Sequence, residues 1–251
     1  MQTVKIATWN VSYGVSPTRN ARISQTMAGI DADVWVLTET HDMLRPLSGS
    51  NWECVTSEQR PRQAKQVVRD SRWVTIWSRL PVLERLSPAY DPKRTAAAVV
   101  ETPFGKLLVF GTVLPWYQDF GRTVKHEFAR QATDWQRLSS SRGDVPVCVA
   151  GDYNVNLGGP HYYGSRESRD AVEATMTLNE MSVLTNFERT GAAQRGGFGL
   201  IDHISVSNIL ATHANRPQVW QRQTEQGEPM SDHCGVAVTF DPCSDRLGDC
   251  T

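Results

Sequence analysis

The residues able to do chemistry stand where apolar runs end. Asn10 closes Val4-Lys5-Ile6-Ala7-Thr8-Trp9, and Thr38-Glu39-Thr40 follows Asp33-Val34-Trp35-Val36-Leu37. Gly151-Asp152-Tyr153-Asn154 follows Val147-Cys148-Val149-Ala150, Asp202-His203 interrupts another run, and Ser231-Asp232-His233 precedes Cys234-Gly235-Val236-Ala237-Val238. Sheet edges where strands end carry the loops on which ligand-binding groups are mounted. Glu39, Asp152, Asp202 and Asp232 at one such edge repel one another unless a cation is present. Carboxylates joined by an amide oxygen are hard ligands, suited to Mg²⁺ or Mn²⁺ rather than zinc. His233 adds a group that donates to, or exchanges protons with, a phosphate oxygen. Divalent metal, carboxylate base and imidazole are what water-driven phosphoester cleavage requires. Singly, a strand-terminal Asn or Glu is most often a cap or turn residue, and G-D-x-N is a plausible turn in its own right.

The elements that must position these groups alternate through the chain. Runs at 4–9, 33–37, 73–77, 96–100, 107–110, 145–150, 200–206 and 234–238 are apolar, often β-branched and bounded by turn residues, which predicts strands. Three segments carry helical periodicity instead: Arg19–Ile30, Thr123–Leu138, and Asp170–Leu184 with Val172, Met176 and Met181 on its stripe. Many strands with a few intervening helices predict an α+β or layered α/β domain. No repeat of ~20–50 residues and no long linker divides it. The expected organisation is one catalytic domain over 1–241 and a polar tail over 242–251.

Composition narrows the class. With 251 residues, 26 Lys and Arg against 27 Asp and Glu, and a formal net charge of −1, the whole protein presents no basic field for nucleic acid or anionic membrane. No apolar run reaches the roughly 20 residues of a membrane span, and Met1-Gln2-Thr3-Val4-Lys5-Ile6 lacks the pattern of a signal peptide. Five cysteines show no C-x-x-C spacing, and Cys148 and Cys234 lie in strand-like runs as buried thiols. Cys243 and Cys250 either pair or stay free. Cytoplasmic location is the expectation.

Order adds what single motifs lack. Thr8-Trp9-Asn10, Thr38-Glu39, Gly151-Asp152-Tyr153-Asn154, Ile201-Asp202-His203 and Ser231-Asp232-His233 follow one another as in the endonuclease/exonuclease/phosphatase superfamily. From about Val4 to Phe240 the chain resembles those enzymes, the relatives of DNase I and exonuclease III. The resemblance implies an α+β fold, a four-layer α/β/β/α sandwich of two packed mixed β-sheets flanked by helices. It implies that Glu39, with Asn10 and Asp232, forms a magnesium site, Mn²⁺ being the alternative ion. Asp152 is similar to the aspartate that orients or deprotonates the attacking water, and Asn154 to the asparagine on the scissile phosphate or a second metal. His233 is similar to the histidine on the phosphate oxygens, and Asp202 to the carboxylate that fixes its tautomer. One departure stands out: where DNA-cleaving members end a strand with His or Tyr near the phosphate, this chain has Val113 or Leu114.

Substrate recognition is less legible. Arg60, Arg62, Lys65, Arg69 and Arg72 crowd one polar stretch, which is either a solvated surface or a phosphate grip. Arg94 is the preferred phosphate-binding cation, and Trp116 or Tyr117 either stacks a base or sugar or packs a loop. Tyr162, in His161-Tyr162-Tyr163-Gly164-Ser165-Arg166, is the third candidate substrate contact. His41, His126 and His213 are expected to bond locally, and His203 to face away from Asp202. The expected activity is metal-dependent phosphodiester hydrolysis of nuclease type, on DNA or RNA. The alternative is cleavage of a small phosphorylated metabolite or lipid headgroup, and no membrane span or protein partner is implied.

Overall fold

Side chains along Val4–Asn10 (β1) divide between two cores: Val4 and Ile6 enter one, Ala7 and Trp9 another. That period-2 division of apolar groups marks a strand covered on both faces, and it recurs through most of the sheet interior. The computed structural model describes residues 2–14, 16–46, 51–60, 70–116, 123–191 and 199–241. The tail after 241, Tyr117, Arg62, Lys65 and Arg69 lie outside the described residues.

Two six-stranded mixed sheets result. The first contains β1, β2 (Val34–His41), β3 (Glu53–Thr56), β4 (Ser71–Ser78), β11 (Gln218–Trp220) and β12 (Gly235–Phe240), in the order β11-β12-β1-β2-β4-β3. The second contains β5 (Val82–Leu86), β6 (Thr95–Thr102), β7 (Gly105–Val113), β8 (Val147–Asp152), β9 (Met181–Val183) and β10 (Asp202–Ser207), in the order β5-β6-β7-β8-β10-β9. Ile6, Val36 and Val74 from the first sheet meet Ala98, Val109, Cys148 and Ile204 from the second in a shared core. Helix α1 (Pro17–Ile30) covers the outer face of the first sheet, with Ile23 and Met27 against Trp9 and Trp35. Helices α2 (Val124–Ser140) and α3 (Arg166–Leu178) cover the second, with Phe128, Trp135, Val172 and Met176 against Phe110 and Val149. These are the four expected layers. Two further short helices, α4 (Phe187–Thr190) and α5 (Asn208–Ala211), sit in connections. No helix among the described residues is long and apolar enough to cross a membrane.

Helix starts follow side-chain caps: Ser16, Thr123 and Ser165 accept from the backbone N–H of Arg19, His126 and Ser168. The third helix differs from expectation. It runs over Arg166–Leu178 rather than 170–184, because Ser165 caps it early and Glu180 turns the chain at a φ of 52°. Met181, which mimicked a helical stripe position, is buried in β9 instead. Strands β3, β5, β9 and β11 have no counterpart among the sequence-predicted runs. They are short outer or edge strands, and β5 carries Glu84 and Arg85, so the apolar signal is weak there.

Candidate active site

Register brings the motifs together. In the parallel pair β1–β2, Asn10 stands beside Thr38, so Asn10 and Glu39 leave the same sheet end. Strand β12 runs antiparallel to β1, which returns Ser231-Asp232-His233 to that end. In the second sheet β10 is antiparallel to β8, with Asp202 directly opposite Asp152. The two sheets thus deliver one cluster at one edge of the sandwich.

Backbone conformation aims the side chains. Gly151 has a φ of 142°, and a Cβ there would stand 1.9 Å from the carbonyl oxygen of Thr112, so only glycine lets β8 approach β7 just before Asp152. Asp152 Oδ1 accepts from the N–H of Asn154 at 2.9 Å, an Asx-type turn. Asn154 takes a left-handed φ of 51°, which asparagine tolerates, and its Nδ2 donates to the carbonyl of Leu114 at 2.8 Å. Glu39 also has a positive φ, 48°, and falls between the Thr38–Val74 and Thr40–Arg72 pairs, beside Trp73. A left-handed non-glycine residue inside a strand is strained, and such strain gathers at functional sites.

Hydrogen bonds then link the two sheets. Asn10 donates its backbone N–H to Asp202 Oδ1 and its Nδ2 to Asp152 Oδ2, each at 3.0 Å. Asp202 Oδ2 lies 2.5 Å from His233 Nδ1. Nδ1 is therefore committed to Asp202, and Nε2 is the ring nitrogen left for a ligand. Oxygens of Asp152 and Asp202 and a ring nitrogen of His233 lie within 4.8 Å of one another. Asp152 and Asp202 are almost fully buried, Glu39 is half-buried, and Asp232 is exposed.

The electrostatics follow from crowding. Burial pushes the Asp152 carboxyl up to about 7, with Asp202 adding to the rise, while His233 and its amide donors oppose it. Burial works against a charged His233, but Asp202 and Asp152 outweigh it and lift the imidazole to about 10. Glu39 is raised by burial and by Asp232 and Asp202, against the pull of His233 and Asn10. Asp152 and Glu39, both held at raised values, describe a site short of positive charge.

Candidate substrate contacts lie on two sides. Arg94, buried, has its guanidinium 4.8 Å from the ring of Trp73, and Arg60 stacks on the same ring at 3.8 Å and on Tyr13 at 4.8 Å. The Arg94 carbonyl accepts from Val113, the register partner of Asp152, which puts this stack one strand beyond the carboxylate cluster. Arg72 instead forms a bidentate pair with Asp42 at 3.0 Å for each bond, a structural role. On the other side a cavity of about 120 Å³ is lined by Tyr162, Asp202, Arg222, Asp232, His233 and others. Trp116, just past β7, is 61% exposed. His203 faces away from the cluster, against the Val155 carbonyl at 3.0 Å and Thr185. His126 bonds locally to Thr123, whereas His41 meets Asn20 from 21 residues away at 3.3 Å and the His213 ring packs on Phe104.

The family model described as "Endonuclease/Exonuclease/phosphatase family" matches residues 7–233, from just before Asn10 through His233. The chain belongs to this family. It is therefore a phosphoesterase-type hydrolase by family, and solved structures repeat its fold. A 3'-5' exonuclease from Neisseria meningitidis superposes with a TM-score of 0.67 at 21% identity, over 95% of this chain and 100% of that one. An AP endonuclease from Archaeoglobus fulgidus gives 0.65 at 17%, over 95% and 99%. Truncated TDP2 from Caenorhabditis elegans gives 0.64 at 15%, over 95% and 97%. The comparison with curated proteins finds no match.

Within this family member, sequence reasoning passed over three supports. Ser231 Oγ donates to the Asn10 carbonyl and accepts from the N–H of His233 at 3.2 Å, tying the S-D-H turn to β1. Trp9 Nε1 donates to the His233 carbonyl at 3.0 Å. Tyr163, rather than Tyr162 alone, lies in the field of Asp152, Asp232 and Glu39. Ser231 and Trp9 sat inside quoted motifs, so their neighbours were the available signal. Tyr163 stood likewise in the quoted run His161-Tyr162-Tyr163-Gly164-Ser165-Arg166, where nothing separates it from Tyr162.

Proposed function

We propose that this protein is a divalent-metal-dependent phosphodiesterase of nuclease type, acting by in-line attack of water. The reading rests on one observation, the Asp152–Asn10–Asp202–His233 hydrogen-bonded unit at the convergent strand ends of an endonuclease/exonuclease/phosphatase fold. Asp152, poised near neutrality, orients the water and takes its proton. His233, protonated and fixed through Nδ1 by Asp202, donates from Nε2 to a phosphoryl oxygen. Asn154 keeps one amide hydrogen for the same phosphate. Donors fixed before the reaction stabilise the charge that builds on oxygen.

The residues suit a hard dication. Both oxygens of Asp152 and of Asp202 already accept hydrogen bonds, so that pair with His233 reads as a bonded relay more than an open cage. Glu39 and Asp232 are the carboxylates with oxygens to spare, and Asn10 brings an amide oxygen that accepts from the Ser12 N–H at 2.9 Å and keeps its second lone pair. Mg²⁺, or Mn²⁺, held there would supply positive charge against the phosphate and the leaving oxygen. Arg94 with Arg60 on Trp73 would hold a neighbouring phosphate, and Trp116 would stack on a base or sugar, which favours DNA or RNA as substrate. A second reading, a small phosphorylated metabolite or lipid headgroup, is favoured by the size of the cavity beside His233 and Tyr162. At about 120 Å³ it suits one compact polar group. Free Cys54, Cys148 and Cys234 suit a reducing compartment and the cytoplasm.

The test is cleavage of end-labelled single-stranded, duplex and abasic DNA with Mg²⁺ or Mn²⁺, beside Glu39→Gln. Cleavage lost in EDTA and in the variant supports the nuclease reading, as does a steep fall of affinity with salt. A folded, metal-loaded protein that cuts no strand but hydrolyses small phosphodiesters transfers the assignment to the second reading.

A further inference from the structure

Two adjacent tyrosines after the G-D-x-N turn have different fates. Asn156 is fully buried, and its Oδ1 accepts from the backbone N–H of both Tyr162 and Tyr163 at 3.1 Å, while its Nδ2 donates to the carbonyls of Gly158 and Pro160. One buried amide therefore pins the whole 158–163 loop. Gly164 seals it: at a φ of 78°, its missing Cβ would stand 3.0 Å from the Asn154 carbonyl, so the loop lies directly on the turn that carries Asp152. The rings of Tyr162 and Tyr163 meet edge to face at 6.1 Å. Tyr162 spends its hydroxyl on the Gly199 carbonyl at 2.6 Å. Tyr163 is 36% exposed, and its hydroxyl has no hydrogen-bond partner among the described residues.

A phenol fixed by its backbone, in a loop seated on the Asp152 turn and unbonded at its tip, is a donor without an acceptor. Val113 and Leu114, at the end of β7 beside Asp152, are apolar and offer nothing to a bound phosphate from that strand. We infer that Tyr163 is a further catalytic residue, whose hydroxyl donates a hydrogen bond to a non-bridging oxygen of the bound phosphate. This rests on the phosphoesterase reading. Burial and the fields of Asp152, Asp232 and Glu39 hold the phenol protonated, so it donates without ionising. With His233 Nε2, it gives the phosphate donors from two separate loops.

Tyr163→Phe keeps the ring and removes the donor, and Tyr163→Ala removes both. The assays are steady-state hydrolysis of DNA and of bis(p-nitrophenyl) phosphate with Mg²⁺, inorganic phosphate binding by calorimetry, and melting temperature. The expected result is a roughly 10- to 100-fold lower kcat for Tyr163→Phe, weaker phosphate binding and an unchanged melting temperature, because donors to charged groups are the strong class. Phe performing like wild type while Ala fails would assign the ring to packing and overturn the inference. Wild-type rates in both variants would overturn it equally. If the wild-type protein hydrolyses neither substrate, the phosphoesterase reading fails. Phosphate binding then decides the inference alone: weakening in Tyr163→Phe upholds the contact, and equal or absent binding removes it.

Discussion

Asp152 and Asp202 stand directly opposite each other across two antiparallel strands, and a single residue, Asn10, hydrogen-bonds both from the other sheet. Like charges directly opposite in a sheet are destabilising. The fold tolerates them because Asn10 supplies two donors and His233 supplies a cation. The same arrangement that strains the sheet edge lifts the Asp152 carboxyl to about 7 and pairs Asp202 with the His233 imidazole.

Removing the negative charge of Asp202 separates catalysis from folding. Asp202→Asn retains an oxygen for the Asn10 N–H but places an amide against His233 Nδ1, which disfavours the required tautomer. The expected kcat falls by roughly 10²- to 10⁴-fold, as when a triad aspartate is replaced. The metal-free melting temperature changes little, since the attraction to His233 that is lost is offset by the repulsion with Asp152 that is relieved. A variant with full activity would take Asp202 out of the mechanism.

The metal-free protein should lose stability as pH rises. His233 is raised in the folded state from an ordinary 6.5 to about 10. Its protonated form therefore favours folding, fully below about pH 6.5 and progressively less up to about pH 10. Asp152, raised from 3.8 to about 7, ionises less readily when folded, so its ionisation weakens the fold over about pH 4–7. Both slopes run the same way. Melting curves in EDTA from pH 6.5 to 10 should fall more steeply for wild type than for His233→Gln. Parallel curves would contradict the assignment.

Saturating Mg²⁺ should stabilise the folded state by mass action. At 100 times Kd the gain is about 2.7 kcal/mol, or roughly 5–10 °C in Tm for a chain of this size. Glu39→Gln should remove most of that shift while melting near the wild-type temperature in EDTA. A wild-type Tm unchanged by metal would count against the site.

Trp73 should influence substrate more than chemistry. Trp73→Leu releases the Arg60 and Arg94 guanidiniums from their shared ring, a contact class of about 0.5–2 kcal/mol. The expected result is a several-fold rise in KM for DNA with kcat nearly constant. Titrations at two salt concentrations would show whether the phosphate contacts were disturbed; identical KM values would exclude the platform from binding.

Gly151→Ala should compromise the whole enzyme. The added methyl meets the Thr112 carbonyl at 1.9 Å and requires a left-handed backbone, so a loss of roughly 3 kcal/mol or more is expected. Chemical denaturation of the purified variant measures this directly.

Much of the site was readable in the residues alone, because the chemistry needs particular side chains and the apolar runs that end in them identify strand ends. Asn10, Glu39, Asp152, Asp202, Asp232 and His233 were all marked by that rule, and the interior strands and two helices by their periodicity. Short edge strands such as β5 and β9 were not, since half-solvated elements carry little apolar pattern. The shifted third helix shows the related limit. A buried methionine five residues past Met176 fits a helical stripe, and only the turn at Glu180 and pairing with β10 make it strand.

What tertiary structure decided is distance and direction. Residue types announced a carboxylate–imidazole site, but strand register set Asp152 against Asp202 and committed His233 Nδ1 to Asp202. Tyr162 and Tyr163 are indistinguishable as letters. A loop pinned by one buried asparagine ties the first to Gly199 and leaves the hydroxyl of the second unbonded beside the Asp152 turn, because hydrogen-bond partners 37 and 7 residues away in the chain are chosen only when the fold closes.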